Sequence, residues 1–390
     1  MGMLVYIDQS IYNTLAYTLL GGSMGQMPKL QATLPRITGF NVRAVRVPMS
    51  EPHRTASGVI TESPLVLTDV MTDTGIVGHS IAFTYTPAAL KPTADLIKSF
   101  EALVAGDLLA PTEVEQKLAG KFRLLGPQGL VGMALAAIDM ALWDALARLH
   151  DISLVQLLGG AAKPVRGYGA VGYEGAEGSA RTAERWAKRG FTGVKAKIGY
   201  PTAQEDVAVI RAIRNAVGNS VAIMVDYNQC LKPAEAAERA RVLDEEGLTW
   251  IEEPTLAHDY LGHAFIAQAA RTPLQCGENW WGVLDMQHAI DAKASDYMMI
   301  DVMKIGGVTG WMRAAALAAA KGIPVSSHLW SEISAQLLCC TPTAHWLEYC
   351  DWWNPVLEEP LRTEQGMALV DGVVGTGVKW NEEALTRLTM

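Results

Sequence analysis

The chain has 390 residues, 49% hydrophobic and 19% charged, with a formal net charge of -9, a composition that can bury a large core across two or three domains. Its Lys and Arg residues are scattered, so neither a nucleic-acid backbone nor a membrane surface is an expected partner. Cys230, Cys276, Cys339, Cys340 and Cys350 show no CxxC spacing, which points to reduced structural thiols and a cytoplasmic location.

Residues 1–36 read as an N-terminal extension whose order the sequence leaves open. Their apolar run has no Lys or Arg before Lys29 and contains Asp8, which argues against a secretory signal, and no later segment reads as long enough to span a membrane. Residues 37–160 are expected to form an α+β unit. FNVRAVRVP, PLVLTDVMT and IVGHSIAFTY read as an antiparallel meander, and helical spacing then runs from Pro87 to MALAAIDMALWDALARL. SEPHRTASGVI, residues 50–60, reads as a loop of this unit. From 161 to 353 short apolar strands alternate with polar helices, with strands expected near 167–170, 193–198, 222–227, 249–252, 274–277, 297–302, 323–326 and 346–349. Eight βα units imply a closed (β/α)8 barrel of the α/β class, with an open doubly wound sheet as the competing architecture. Residues 354–390, with turn signals in DGVVGTG, are expected to return to the N-terminal unit.

Active sites of such barrels lie at the C-terminal ends of the strands. Those ends carry Lys195 and Lys197, then Asp226 with Asn228, then Glu252, Glu278, Asp301, His328 and Glu348, a series too regular for helix capping. Three carboxylates on adjacent strands (Asp226, Glu252, Glu278) repel one another unless a hard divalent cation sits among them, and an all-oxygen donor set suits Mg2+. Glu252 and Glu253 alternate across their strand, so only one faces the axis, and alternation alone does not choose. Lys195 and Lys197 share a strand face, where each lowers the other's pKa and so favours a base near neutral pH. Asp301 is placed to accept a ring N–H from His328. Two bases flanking a metal suit removal of a proton next to a carboxylate through an enediolate, and a protonated Glu348 would donate to the developing oxyanion. GYGAVG (167–172) matches GxGxxG, but GYEGAEGSA after it reads as loop where a dinucleotide site needs a helix, so no such cofactor is expected.

VKAKIGYP, MVDYNQ, TWIEEPTLAHDYLGH, CGENW, MKIGGVTGW, PVSSHL and TPTAHWLE together resemble the enolase superfamily, specifically its mandelate racemase subgroup, from about Gly39 to near the C-terminus. The resemblance implies an N-terminal capping domain over a barrel that holds one Mg2+, on Asp226, Glu252 and Glu278. It implies Lys197 as base on one substrate face and the His328–Asp301 dyad on the other. Lys195 would neutralise the substrate carboxylate, Glu348 would act as acid to it, and Asn228 would lie near the substrate hydroxyl. Homo-oligomers, often octamers, are also implied. The substrate pocket departs from the pattern: Ala170 and Val171 stand where mandelate racemase has serine and histidine, and His53 and Ser57, with Arg54 beside them, stand in a loop where it presents valines. Tyr85 completes the expected substrate-binding set. The expected activity is Mg-dependent α-proton abstraction from a small 2-hydroxycarboxylate more polar than mandelate, as a racemase or epimerase. An acid-sugar dehydratase using the same bases is the alternative, and a non-catalytic barrel binding protein a third reading, which would have lost a metal or base position; none is lost.

Overall fold

The computed structural model describes residues 34–55 and 58–388. Most of the expected N-terminal extension, and Ser57, therefore lie outside the described residues. From Pro35 onward the chain forms one compact unit.

Strands β1 (Ile37–Thr55), β2 (Gly58–Thr72) and β3 (Val77–Phe83) form the antiparallel meander. Its buried apolar residues, including Phe40, Val45, Leu65 and Leu67, share one core with helices α1 (Pro87–Val104), α2 (Pro111–Lys121) and α3 (Gly129–Leu149). Helix α1 starts where Thr86 accepts from the Ala88 amide and Pro87 supplies the first-turn residue. The close seat of α3 needs Gly78, where a Cβ would fall 2.0 Å from the Ala141 carbonyl oxygen. Contrary to the sequence reading, one later segment is long and apolar enough to cross a membrane: α3, of 21 residues. Its apolar window is 72% buried and it carries the hydrogen-bonded Asp139 and Asp144, which is the pattern of a core helix.

Residues 50–55 and 58–60 are strand rather than loop. The β1–β2 ladder breaks between Pro48 and His53 and then resumes, with His53 paired to Ile60 and Arg54 to Val59. Pro48 and Pro52 have no amide to donate, so the ladder passes them through a bulge rather than ending.

Eight parallel strands follow: β4 (Val165–Val171), β5 (Gly193–Lys197), β6 (Ala222–Asp226), β7 (Ile251–Glu252), β8 (Leu274–Cys276), β9 (Tyr297–Asp301), β10 (Val325–His328) and β11 (Leu347–Tyr349). They pair in sequence from β4 to β10, and β11 pairs with β4. The ring closes where the Ser327 amide donates to Trp346 O at 2.9 Å and the His345 amide to Val325 O at 2.8 Å, so the sheet is a barrel and not open. Around it run α4 (Leu154–Leu157), α5 (Gly175–Lys188), α6 (Ala203–Val217), α7 (Pro233–Leu243), α8 (Tyr260–Ala269), α9 (Gly282–Ala292), α10 (Gly307–Lys321) and α11 (Ser331–Cys339). Thr202 and Glu205 form a capping box that starts α6.

The reading of GYEGAEGSA as loop is overturned, since α5 begins at Gly175. The glycines of GYGAVG still make no phosphate cradle, because Gly167 and Gly169 lie inside β4. Gly169 is there for packing: a Cβ would come within 2.1 Å of the Trp186 indole. In the C-terminal segment, β12 (Arg362–Glu364) and β13 (Met367–Leu369) form a hairpin whose second strand pairs antiparallel with β4. The chain then returns to the meander through Trp380, which donates to Asp69 Oδ1 at 2.6 Å, and α12 (Glu382–Leu388).

Asp144 on α3 joins these layers. Fully buried, it accepts from the His79 amide at 2.8 Å, from Arg148 Nε at 2.6 Å, and from the Thr376 amide and hydroxyl at 2.6 and 2.8 Å. Asp144→Ala leaves these donors unpaired and is expected to cost about 3 kcal/mol, read as a lower urea midpoint at unchanged m-value.

Candidate active site

The strand register sets polar residues side by side at the C-terminal rim. Lys197 is paired with Asp226, Asp226 with Glu252, and Asp301 with His328. Period-two alternation points Lys195 and Lys197 to the same side, and both are buried. Backbone strain gathers at this rim: Tyr85, Asn228, Gln229, Glu253, Leu329 and Trp330 all adopt positive φ, a conformation that costs free energy and persists where surrounding packing imposes it.

Asp226, Glu252 and Glu278 present oxygens that lie within 4.8 Å of one another, all buried. Glu253 is equally buried but turns away, accepting from Asn279 Nδ2 at 2.7 Å. Lys195, 1% exposed, reaches Glu252 at 2.5 Å, Glu348 at 2.9 Å and Asp226 at 3.5 Å. Lys197 pairs with Asp226 alone. Asn228 donates to both oxygens of Asp226, from its amide at 2.7 Å and from Nδ2 at 3.3 Å. His328 Nδ1 lies 2.7 Å from Asp301 Oδ2, and its Nε2 lies 3.3 Å from Glu278 and 3.8 Å from Glu348. The other Asp301 oxygen accepts from the amides of Met303 and Lys304 at 2.8 and 3.0 Å, which fixes the dyad.

These contacts set the charges. Burial pushes Glu252 well above the usual carboxylate range, and Asp226 and Glu278 add to that. Burial works against ionisation of Glu278 and Glu348, but Lys195, Lys197 and His328 hold both down at about 2. Glu348 is thus an acceptor carboxylate here, not the protonated donor expected from the sequence. The expected lowering of the lysines also fails. Burial lowers each, but Asp226 raises Lys197, and Glu252 with Glu348 raises Lys195 well above its ordinary value. His328 likewise ends above its usual value despite burial, held there by Glu278 and Asp301. An all-oxygen cluster in which Glu278 Oε2 is buried without a hydrogen-bond partner fits a hard divalent cation.

A cavity of about 570 Å3 leads outward from Glu348, Leu329 and Ala170 beneath the hairpin. Ala170 faces it while its carbonyl oxygen accepts from Trp186 Nε1 at 2.8 Å. His53 lines it, 5.0 Å from the Trp352 ring, with its imidazole pushed down to about 3 by burial and the charge of Lys197. Arg54 does not line it: its side chain is exposed, and its carbonyl oxygen accepts from the Tyr173 amide at 2.8 Å. Tyr85 donates to Asp301 Oδ2 at 3.3 Å and so touches the dyad. Sequence reasoning missed Trp352, and missed Arg185 and Arg189 of the α5 region at the far end of the cavity. Arg185 pairs there with Glu51 of the hairpin, Nη2 to Oε2 at 2.6 Å. Asn279 and Lys304 were inside CGENW and MKIGG, but no strand-end position marked them.

Residues 37–159 match the mandelate racemase / muconate lactonizing enzyme N-terminal domain, and residues 178–384 the enolase C-terminal domain-like family. The chain is similar to an enolase from Bradyrhizobium whose crystal structure is complexed with magnesium and mandelic acid, with 44% identity and a TM-score of 0.89 over 92% of this chain and 100% of that one. It is 28% identical to the L-talarate/galactarate dehydratase of Salmonella typhimurium over 333 residues, 83% of this chain and 82% of the relative. It is 29% identical to the L-Ala-D/L-Glu epimerase of Bacillus subtilis over 294 residues, 74% of this chain and 79% of the relative.

The depressed pKa of Glu348 has a consequence for acid stability. A carboxylate held at about 2 in the fold, against 4.5 for the free group, contributes stability that is present above pH 4.5 and is lost as pH falls towards 2. Urea denaturation in EDTA between pH 5 and 3 should therefore show a shallower acid decline for Glu348→Gln than for the parent.

Proposed function

The chain belongs to the enolase superfamily, in its mandelate racemase / muconate lactonizing enzyme branch, and on that membership we propose that it is a Mg2+-dependent racemase or epimerase of a 2-hydroxycarboxylate. The observation that carries this reading is the placement of two candidate bases on either side of the carboxylate cluster, Lys197 against Asp226 and the His328–Asp301 dyad against Glu278. The oxygens of Asp226, Glu252 and Glu278 would hold the ion, which when bound would offset their negative charge and polarise the substrate carboxylate.

Lys195 pairs with the substrate carboxylate from the side of Glu348. Lys197, once deprotonated, takes the α-proton from one face, and His328, oriented by Asp301, returns a proton to the other. The opposite enantiomer uses the two groups in reverse order. The cavity beyond Ala170 receives the α-substituent. Its near wall is the His53 and Trp352 pair, and its far end carries Arg185, Glu51 and Glu174, which supports a substituent more polar than the phenyl ring of mandelate. Similarity to an acid-sugar dehydratase supports a second reading, in which His328 delivers its proton to a β-hydroxyl leaving group.

Incubation with Mg2+ and a panel of 2-hydroxy acids and acid sugars in D2O separates the two readings. Deuterium incorporation with inversion and no 2-keto acid supports the racemase; 2-keto acid in its place moves the assignment to the dehydratase. Lys197→Met and His328→Asn should each lower inversion at least about a hundredfold while keeping exchange for one configuration, opposite in the two variants. Loss of exchange for both configurations in either variant would refute the two-base assignment. EDTA should abolish turnover, and Mg2+ should restore it.

A further inference from the structure

One buried lysine has no part in the chemistry above yet touches both halves of the site. Lys304 is 6% exposed and follows Asp301 by three residues. Its ammonium donates to Asn279 Oδ1 at 2.6 Å and lies 4.6 Å from the centroid of the Tyr85 ring. Asn279 in turn donates through Nδ2 to Glu253 Oε2 at 2.7 Å and to Glu278 Oε1 at 3.2 Å. Tyr85 donates to the same Asp301 oxygen that His328 Nδ1 faces, and the Lys304 amide donates to the other Asp301 oxygen at 3.0 Å.

We propose that Lys304 is a positioning residue that locks the amide of Asn279 in one orientation and thereby holds Glu278 at the cation site, while its contact with Tyr85 ties that site to the His328–Asp301 dyad. An ammonium is a donor only and a carboxylate an acceptor only. With Lys304 on Oδ1, the NH2 of Asn279 has a single choice and must face the two glutamates. Flipping the amide would set NH2 against the ammonium and a carbonyl oxygen against the carboxylate of Glu278. The ammonium has no carboxylate partner within ion-pair distance among the described residues, so amide and ring are its anchors, and the face of Tyr85 stabilises a cation that burial would otherwise penalise. Partners that hold a ligating side chain in place set metal affinity nearly as strongly as the ligand itself.

The inference rests on the proposed cation site and is tested by Mg2+ binding, read by calorimetry on the full chain without substrate. Lys304→Met and Asn279→Ala should each raise the Mg2+ Kd about 10- to 100-fold. The double variant should be no weaker than the weaker single variant by more than about threefold, because both changes break one relay. Multiplicative losses in the double variant, or an unchanged Kd in Asn279→Ala, would overturn the proposal. If Lys304→Met fails to fold, Asn279→Ala alone decides, since it removes the group through which the lysine acts. A purely structural lysine would lower the melting temperature in EDTA and leave the Mg2+ Kd of the folded protein unchanged. Glu278→Gln is the control for the site itself: Mg2+ binding that survives in it refutes the cation site, not the relay.

Discussion

An ammonium group with almost no exposure, enclosed by Glu252, Glu348 and Asp226, is the constraint around which the rest is arranged. A buried charge persists only when paired, so Lys195 holds three strand ends at fixed distances. The balance around it is uneven. Six buried carboxyl groups (Asp226, Glu252, Glu253, Glu278, Asp301, Glu348) face three lysines (Lys195, Lys197, Lys304) and one imidazolium at most, which leaves two negative charges if all ionise. The cost falls on Glu252, which burial first, and then Asp226 and Glu278, drive well above the carboxylate range. A divalent cation would close the balance and let Glu252 ionise, so the same arithmetic that keeps Lys195 charged calls for the metal.

Barrel geometry makes the cluster possible. Neighbouring parallel strands keep the register that sets Lys197 beside Asp226 and Asp226 beside Glu252, and Glu278 joins this row from the turn that follows β8. The meander contributes from above. Trp330, two residues past His328, donates to Ile81 O at 2.8 Å, and Tyr85 reaches Asp301. The cap therefore fixes the dyad as well as covering it. The stability of that cap rests on polar junctions, Asp144 toward the C-terminal segment and Asp69 toward Asn41, His79 and Trp380.

The strand-end cluster was more legible in the sequence than its charge states. Strand-end positions could be read because alternation and the spacing of βα units are local properties of the chain. Alternation could not choose between Glu252 and Glu253, and the family motif did; in the fold both are buried, and Asn279 on the next strand's loop engages Glu253. The protonation of Lys197 was misjudged for a related reason: the pairing of two lysines is visible in VKAK, while the carboxylates that outweigh it arrive from three other strands. Arg185, Arg189 and Trp352 carry no periodic or motif signal and reach the cavity only through tertiary packing.

The walls of the substrate cavity obey a different rule from its floor. They come from the β1–β2 hairpin, the second half of α5 with its flanking residues and the segment after β11, which share no common register. Within the hairpin, simple alternation is insufficient to say whether His53 or Arg54 faces inward, because a one-residue slip exchanges the two faces of a strand. The ladder slips between Pro48 and His53, and beyond that bulge His53 packs at a tilt against Trp352 while Arg54 is left in solvent. The slip follows from two prolines that cannot donate to the ladder, so the shape of this wall is set as much by Pro48 and Pro52, which line the cavity, as by the imidazole of His53.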